Sequence, residues 1–161
     1  MLNRLSKLVL ETRTSCYAWV FMTNHAHFLF RSRPCGLAEF MRRLLTGHAV
    51  SFNHRHKRHG QLFQNRYKFI ICRKDDYLKE LVRYIHLDPL RAILVKDFEA
   101  LNRYAFSGHR LLAGKVECSW QDGGYELGYF GESKAIASKR YLAYVEAGIA
   151  LGRRPELVGA F

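Results

Sequence analysis

Residues 15–30 limit the fold more than any other part of the chain. Residues 15–22 are rich in aromatic and β-favouring side chains, and a second run of the same kind continues to Phe30. Thr23 and Asn24 separate the two runs and are typical of a tight turn. The sequence therefore predicts two strands joined by that turn.

Helical periodicity flanks the predicted hairpin. Apolar residues recur at helical spacing over residues 1–13 and 37–60, and again after Asp75. Asp75 is suited to cap the third of these helices, and Pro89 is expected to stop it, because proline has no backbone N–H to donate. The second helix carries many basic residues on its polar face. We expect it to be a basic surface helix.

The remaining segments complete an α+β pattern. Residues 66–73 predict a third strand, so that a helix, two strands, a helix, a strand and a helix follow one another. This order favours a mostly antiparallel sheet with helices on one face. The Gly123-Gly124 break and the helical spacing after it predict a small helical extension over residues 106–161. The main domain is expected to span residues 1–105.

Composition excludes two classes of protein. With 48% hydrophobic and 14% aromatic residues, the chain can bury a core, which a disordered tail cannot do. No run approaches the roughly 18 apolar residues of a membrane-spanning helix, and the amino terminus has no apolar segment of signal-peptide length. The four cysteines include no Cys-x-x-Cys pair and are expected to be reduced and structural. We therefore expect a cytoplasmic protein without a membrane partner.

Positive charge is concentrated in one segment. The chain carries 26 lysines and arginines against 14 acids, and residues 31–75 hold eleven of these cations and two acids, a local net charge of +9. Such a segment favours a polyanion as partner, because cations set against phosphates release condensed counterions. The alternative is a solvated surface that keeps the protein soluble. The candidate nucleic-acid-binding residues are Arg42, Arg43, Arg55, Lys57, Arg58, Arg66 and Lys68.

Two histidines form the first candidate chemical group. His25 and His27 are two residues apart on the second predicted strand, so both side chains project from the same face. Two imidazoles on one face can chelate a divalent metal ion. Taken alone, a His-x-His pair is as often structural as functional. A cupin-like site would add a glutamate a few residues on, but the next glutamate is Glu39, beyond a proline-containing loop.

A tyrosine and a carboxylate form the second group. Tyr84 and Asp88 are four residues apart on the third predicted helix and therefore share a face. A phenol one turn from a carboxylate, close to a two-histidine metal site, has the parts of a phosphoryl-transfer centre. The alternative is a tyrosine at the rim of the core, which is the ordinary role of any one of the nine tyrosines.

Several blocks of sequence resemble the single-tyrosine HUH transposases, the IS200-like transposases, and favour the branch associated with repetitive extragenic palindromes. The resemblance is strong over about residues 15–95 and looser from there to Phe161. The first block resembles the histidine-hydrophobe-histidine strand of the family, and the others resemble its tyrosine-helix signature. These blocks are residues 19–30, residues 63–68, Tyr77-Leu78 and residues 83–92.

The resemblance implies a fold, an activity and a set of site residues. It implies a ferredoxin-like sandwich, with a catalytic domain over residues 1–105. His25 and His27 match the family's metal-binding pair, and Tyr84 matches its nucleophile. The implied activity is nicking and rejoining of single-stranded hairpin or palindromic DNA through a 5′-phosphotyrosine, with Mg²⁺ or Mn²⁺ as cofactor.

Two positions and one missing element depart from the family pattern. Asp88 stands where the family usually has Asn or Gln as a third metal ligand, and a carboxylate also suits Mg²⁺ or Mn²⁺. Thr23 replaces a usual proline in the turn. Family members normally carry a strand before the first helix, and the chain begins at that helix, so we expect the first strand to be lacking.

Two other functions remain open from the sequence. The chain could be a non-catalytic protein that binds single-stranded nucleic acid by stacking bases on sheet aromatics, or an inactive transposase remnant. A two-histidine phosphoesterase would need a second histidine motif paired with Ser or Thr, which the sequence lacks. The sequence leaves the oligomeric state open between monomer and homodimer.

Overall fold

The computed structural model describes residues 1–31, 35–72 and 75–157, except for the side chains of residues 75, 76 and 155. The predicted cap at Asp75 and the last residue of the predicted third strand, Arg73, lie outside this description. The chain divides into two compact units. One contains residues 1–15 and 31–69, and the other contains residues 16–30 and 70–161.

The first unit is built around two helices, α1 (Leu2–Thr12) and α2 (Gly36–Arg55), which pack against each other. Their apolar stripes supply the buried residues of this unit. Helix α1 ends where Arg13 adopts the left-handed conformation, with φ 52°. The buried side chains of the two helices are Leu5, Leu8, Val9, Phe40, Met41 and Leu44.

Helix α2 is shorter than the sequence predicts. It ends at Arg55 and not near Gly60, because Lys57 is left-handed, with φ 51°. The Arg58 N–H then bonds back to the Asn53 carbonyl at 2.9 Å, an arrangement that satisfies carbonyls at a helix end. Lys57 and Arg58 therefore lie in the turn after the helix.

The second unit contains the predicted hairpin, which is confirmed. Strands β1 (Ser15–Phe21) and β2 (Ala26–Arg31) pair with each other, and the Met22 N–H donates to the His25 carbonyl at 2.8 Å to close the turn. Side chains of β1 such as Ala18 and Val20 are fully buried. The hairpin therefore forms one wall of the core of this unit.

Helix α3 (Asp75–Arg91) carries the candidate tyrosine and continues past Pro89, so the prediction that Pro89 stops the helix is wrong. The missing proline N–H removes only the bond to the carbonyl one turn back. The backbone closes around the proline, because the Ala92 N–H donates to the Asp88 carbonyl and the Leu94 N–H donates to the Pro89 carbonyl.

The third predicted strand is not formed. Residues 66–72 have no regular secondary structure, and the sheet in the described part of the chain has two strands. Phe69 and Ile71 are 63% and 64% exposed. β-favouring side chains stabilise a strand only where a neighbouring strand and a core face are present.

The described residues after residue 105 form mainly helices and turns, in agreement with the predicted helical extension, and they contribute to the core of the second unit. Ala137, Tyr141 and Val145 of the longest of these helices pack in the same cluster as Val20 and Ile85. The α+β class is therefore confirmed. The boundary at residue 105 stays a prediction. The helices are α4 (Phe98–Arg103), α5 (His109–Leu112), α6 (Gly123–Gly128) and α7 (Lys134–Ala147), followed by 3-10 turns Ile149–Leu151 and Pro155–Leu157.

None of the helices in the described ranges is long and apolar enough to cross a membrane.

Candidate metal and tyrosine site

The structure brings His25, His27 and Asp88 together. His25 immediately precedes β2 and His27 lies within it, so strand alternation places both rings on one face. The Asp88 Oδ2 atom lies 3.2 Å from His25 Nε2 and 3.5 Å from His27 Nε2. One potential ligand atom from each of the three residues lies within 4.8 Å of the others. This spacing suits the coordination of one cation.

The hydrogen bonds of His25 fit a metal ligand. Its Nδ1 atom lies 2.7 Å from Asn24 Oδ1, so neutral His25 donates from Nδ1 to the Asn24 amide oxygen. The Nε2 atom then carries a lone pair and faces the Asp88 carboxylate, which is also an acceptor. Two acceptors that face each other are best satisfied by a cation between them, and an outer hydrogen bond of this type orients a metal-binding histidine.

The electrostatics of His27 also favour the form that binds a metal. Burial lowers the pKa of His27. The charge of Asp88 opposes this shift, and that of His25 adds to it. A lower pKa keeps the imidazole neutral, and only the neutral ring has a lone pair to offer. At neutral pH, protons therefore compete little with a metal ion for this side chain.

Tyr84 lies next to this group on the same face of α3 as Asp88. Its ring centroid is 6.3 Å from that of His27, and the guanidinium carbon of Arg91 is 5.1 Å from the Tyr84 ring centroid. Burial and the Asp88 charge raise the pKa of the Tyr84 hydroxyl, whereas the charges of Arg91 and Arg153 lower it. The hydroxyl is therefore a phenol at neutral pH, and any added positive charge favours its ionisation.

A buried chain of hydrogen bonds fixes the opposite side of α3. The Tyr141 hydroxyl lies 2.7 Å from His86 Nδ1 and 2.7 Å from His109 Nδ1. Since His109 Nε2 lies 2.8 Å from Asn102 Oδ1 and donates to it, the Tyr141 hydroxyl donates to His109 and accepts from His86. Burial lowers the pKa of His109 to about 4. Both rings are therefore neutral, and the chain ties α3 to α5 and α7.

A second set of contacts joins α3 to the carboxyl end of α7. Arg83 donates to Glu80 at 2.6 Å, and the Tyr144 hydroxyl donates to the same carboxylate at 2.6 Å. The Arg83 guanidinium carbon also lies 4.2 Å from the Tyr144 ring centroid. A Cβ atom at Gly148 would come within 2.5 Å of Arg83 Cδ, so this close approach requires glycine. These contacts hold the tyrosine helix rigid.

The predicted nucleic-acid-binding residues differ in whether their positive charge is already paired with an acid. Arg42 is bound to Glu39 at 2.7 and 2.8 Å, and Arg43 is bound to Glu11 at 2.7 Å. The other five predicted residues are exposed on the surface. Among the described acids, none forms an ion pair with Arg55, Lys57 or Arg58.

Two cations near Tyr84 were not predicted as site residues. Arg91 follows Tyr84 by seven residues and Asp88 by three, so helical spacing places all three side chains on one face. The 3.6-residue period alone could have found Arg91. Arg153 lies between the two 3-10 turns, and its charge lowers the pKa of Tyr84. No local sequence pattern links Arg153 to α3.

Comparison with known protein families gives one match. Residues 1–88 match the family described as Transposase IS200 like, and this range includes His25, His27, Tyr84 and Asp88. No curated protein matches the chain, and no solved structure does. The matched range covers more than half of the chain, which is sufficient to assign the family.

Proposed function

The chain belongs to the IS200-like transposase family, a family of DNA-cleaving enzymes, and we propose that it nicks and rejoins single-stranded hairpin DNA through a 5′-phosphotyrosine at Tyr84. The observation that carries this proposal is the grouping of Tyr84 with the ligand atoms of His25, His27 and Asp88 on one side of α3. A phenol beside a cation site is suited to phosphoryl transfer.

The reaction is a transesterification that conserves the number of phosphodiester bonds. The Tyr84 oxygen attacks phosphorus and forms a new P–O bond, while the bond from phosphorus to the 3′ oxygen breaks. The phenol proton is released to solvent, and the departing 3′ oxygen takes a proton from solvent to become a hydroxyl. Rejoining is the reverse reaction with a second 3′ hydroxyl. No ATP is required.

The donor set fits a divalent cation. Of the two candidates, Mg²⁺ and Mn²⁺, the two imidazole nitrogens favour Mn²⁺, because Mg²⁺ takes mainly oxygen ligands. His25, His27 and Asp88 would hold the ion. When bound, it supplies positive charge beside a non-bridging phosphate oxygen and so favours attack at phosphorus.

The rigid attachment of α3 supports catalysis by positioning. A misplacement of about 1 Å can cost roughly a hundredfold in rate when attack must be in line. His86 is bonded to Tyr141 of α7, and Glu80, the partner of Arg83, accepts a hydrogen bond from Tyr144 of α7. Tyr84 and Asp88 are therefore carried on a helix that is anchored to α7.

A covalent adduct on a denaturing gel tests the proposal. The probe is a pool of single-stranded oligonucleotides, each a hairpin with randomised flanks and a 3′ label, incubated with the protein and Mn²⁺. We expect an adduct from the native chain that is lost in Tyr84→Phe and in excess EDTA. Tyr67→Phe is the matched control, because it removes the same single oxygen from a tyrosine that is not one of the four candidate site residues.

Two results would contradict the proposal. An adduct that persists in EDTA would remove the metal from the mechanism. Binding of the hairpin pool without any adduct, with the same affinity with and without Mn²⁺, would instead support a non-catalytic single-stranded nucleic-acid-binding protein or an inactive transposase remnant.

A further inference from the structure

Arg91 lies beside the candidate nucleophile and is partly buried. Its Nε and Nη1 atoms are buried, and no residue in the described ranges accepts a hydrogen bond from either. Buried guanidinium nitrogens nearly always have acceptors, because an unpaired buried donor is costly. Arg83 on the same helix shows the ordinary arrangement, since it donates to Glu80 at 2.6 Å. Within the described part of the chain, these two nitrogens of Arg91 therefore lack the acceptor that a buried guanidinium normally has.

The position of Arg91 indicates where that acceptor belongs. Its guanidinium carbon lies 5.1 Å from the Tyr84 ring centroid, and it shares a helix face with Tyr84 and Asp88. Burial lowers the pKa of Arg91. The negative charges of ionised Tyr84 and of Asp88 oppose this shift, and the positive charges of Arg83 and Arg154 add to it. A guanidinium stays protonated even so. Arg83 and Arg154 are paired with Glu80, whereas Asp88, the acid that acts on Arg91, also faces His25 and His27.

A phosphodiester that reacts with Tyr84 would bring the missing acceptors. Its non-bridging oxygens carry a full negative charge, and after attack they are attached to phosphorus on the Tyr84 oxygen, beside the ring that Arg91 already contacts. Guanidinium groups bind phosphate oxygens through short, charge-assisted hydrogen bonds. Because the donors are already desolvated, this interaction is stronger than the same contact in water.

We propose that Arg91 is a catalytic residue that donates hydrogen bonds to a non-bridging oxygen of the scissile phosphate and keeps this contact in the phosphotyrosine. This inference rests on the proposed function of Tyr84. Arg91 forms and breaks no covalent bond and keeps its protons throughout. Its contribution is to offset the negative charge at phosphorus.

Single-turnover formation of the Tyr84 adduct tests the proposal. Arg91→Met removes the charge and the donors while keeping most of the apolar stem, and we expect the rate to fall about 100-fold, the effect of losing one such donor. Arg91→Lys keeps the charge but not the guanidinium, and we expect a smaller loss. The matched control is Arg103→Met, which removes an exposed cation paired with Glu99 on α4.

A substrate with a methylphosphonate at the scissile position separates contact from structure. In one of its two diastereomers, a neutral methyl group replaces the oxygen that Arg91 binds, so the native chain and Arg91→Met should then differ by only a few-fold. An equal defect on both substrates, or an unchanged rate for Arg91→Met on the phosphodiester, would overturn the inference about Arg91 and leave Tyr84 as nucleophile. Absence of any adduct from the native chain would overturn both.

Discussion

The salt dependence of DNA binding distinguishes the unpaired cations of the first unit from those that are bound to an acid. Arg55, Lys57 and Arg58 are exposed at the end of α2 and form no ion pair with a described acid. Their charge is therefore free to face a phosphate backbone. We predict that replacing all three with glutamine weakens binding of single-stranded DNA and flattens its dependence on salt.

The expected magnitude follows from the number of charges removed. Each phosphate neutralised on a single strand contributes about −0.7 to the slope of log K against log salt. If each of the three cations faces one phosphate, the slope becomes less negative by about 2. When salt rises from about 50 to about 200 mM, the affinity of the native chain should then fall by a factor about 18 times larger than that of the triple variant.

Arg42→Gln is the matched control for this experiment. Arg42 is already bound to Glu39 at 2.7 Å, so less of its charge is available to a DNA phosphate than that of an unpaired cation. We expect its slope to change by less than that of one unpaired cation.

Fluorescence anisotropy of a labelled hairpin and of a scrambled strand, titrated across the salt series, measures both slopes. The preference for the hairpin should survive, because phosphate contacts carry little sequence information. An unchanged slope in the triple variant would refute the reasoning and make this surface a solvated one.

Three further predictions concern the site and the core beneath it. Asp88→Asn restores the family's usual residue and should retain or raise adduct formation, whereas Asp88→Ala should abolish it. Tyr141→Phe removes the hydrogen-bond partner of His86 Nδ1 and of His109 Nδ1 and should lower the free energy of unfolding, measured in urea, by about 2–4 kcal/mol. Burial raises the pKa of Glu126 to about 8. The folded state thus holds this proton more tightly than the unfolded state, so stability should fall as pH rises from about 4.5 to about 8, by about 1.4 kcal/mol per unit. Urea melts across this range should show the slope in the native chain and its loss in Glu126→Gln; an equal slope in both would contradict the assignment.

Local patterns were sufficient to predict the parts of the fold that surround the site. Strand alternation placed His25 and His27 on one face, and helical spacing placed Tyr84 and Asp88 on another. Both periodicities depend only on the backbone of a single element. The approach of Asp88 to the histidines was implied by the family resemblance and not by either pattern.

The errors arose where a local pattern depended on distant partners. Residues 66–72 have the composition of a strand but no neighbour to pair with in the described part of the chain. Pro89 was expected to stop a helix whose last turn instead closes around it. Tyr141 belongs to a region predicted as an extension, yet it is buried against His86 and His109. The spacing of residues along the sequence does not predict contacts between residues so far apart in the chain.

Mass spectrometry of the covalent adduct tests the central claim most directly. The adduct formed with the hairpin pool and Mn²⁺ is digested with protease and nuclease, and the modified peptide is fragmented to locate the nucleotide. The account predicts a nucleotide joined through its 5′ phosphate to the Tyr84 oxygen, in the peptide that contains Asp88 and Pro89. A nucleotide on Tyr67, Tyr77 or any other residue would contradict it.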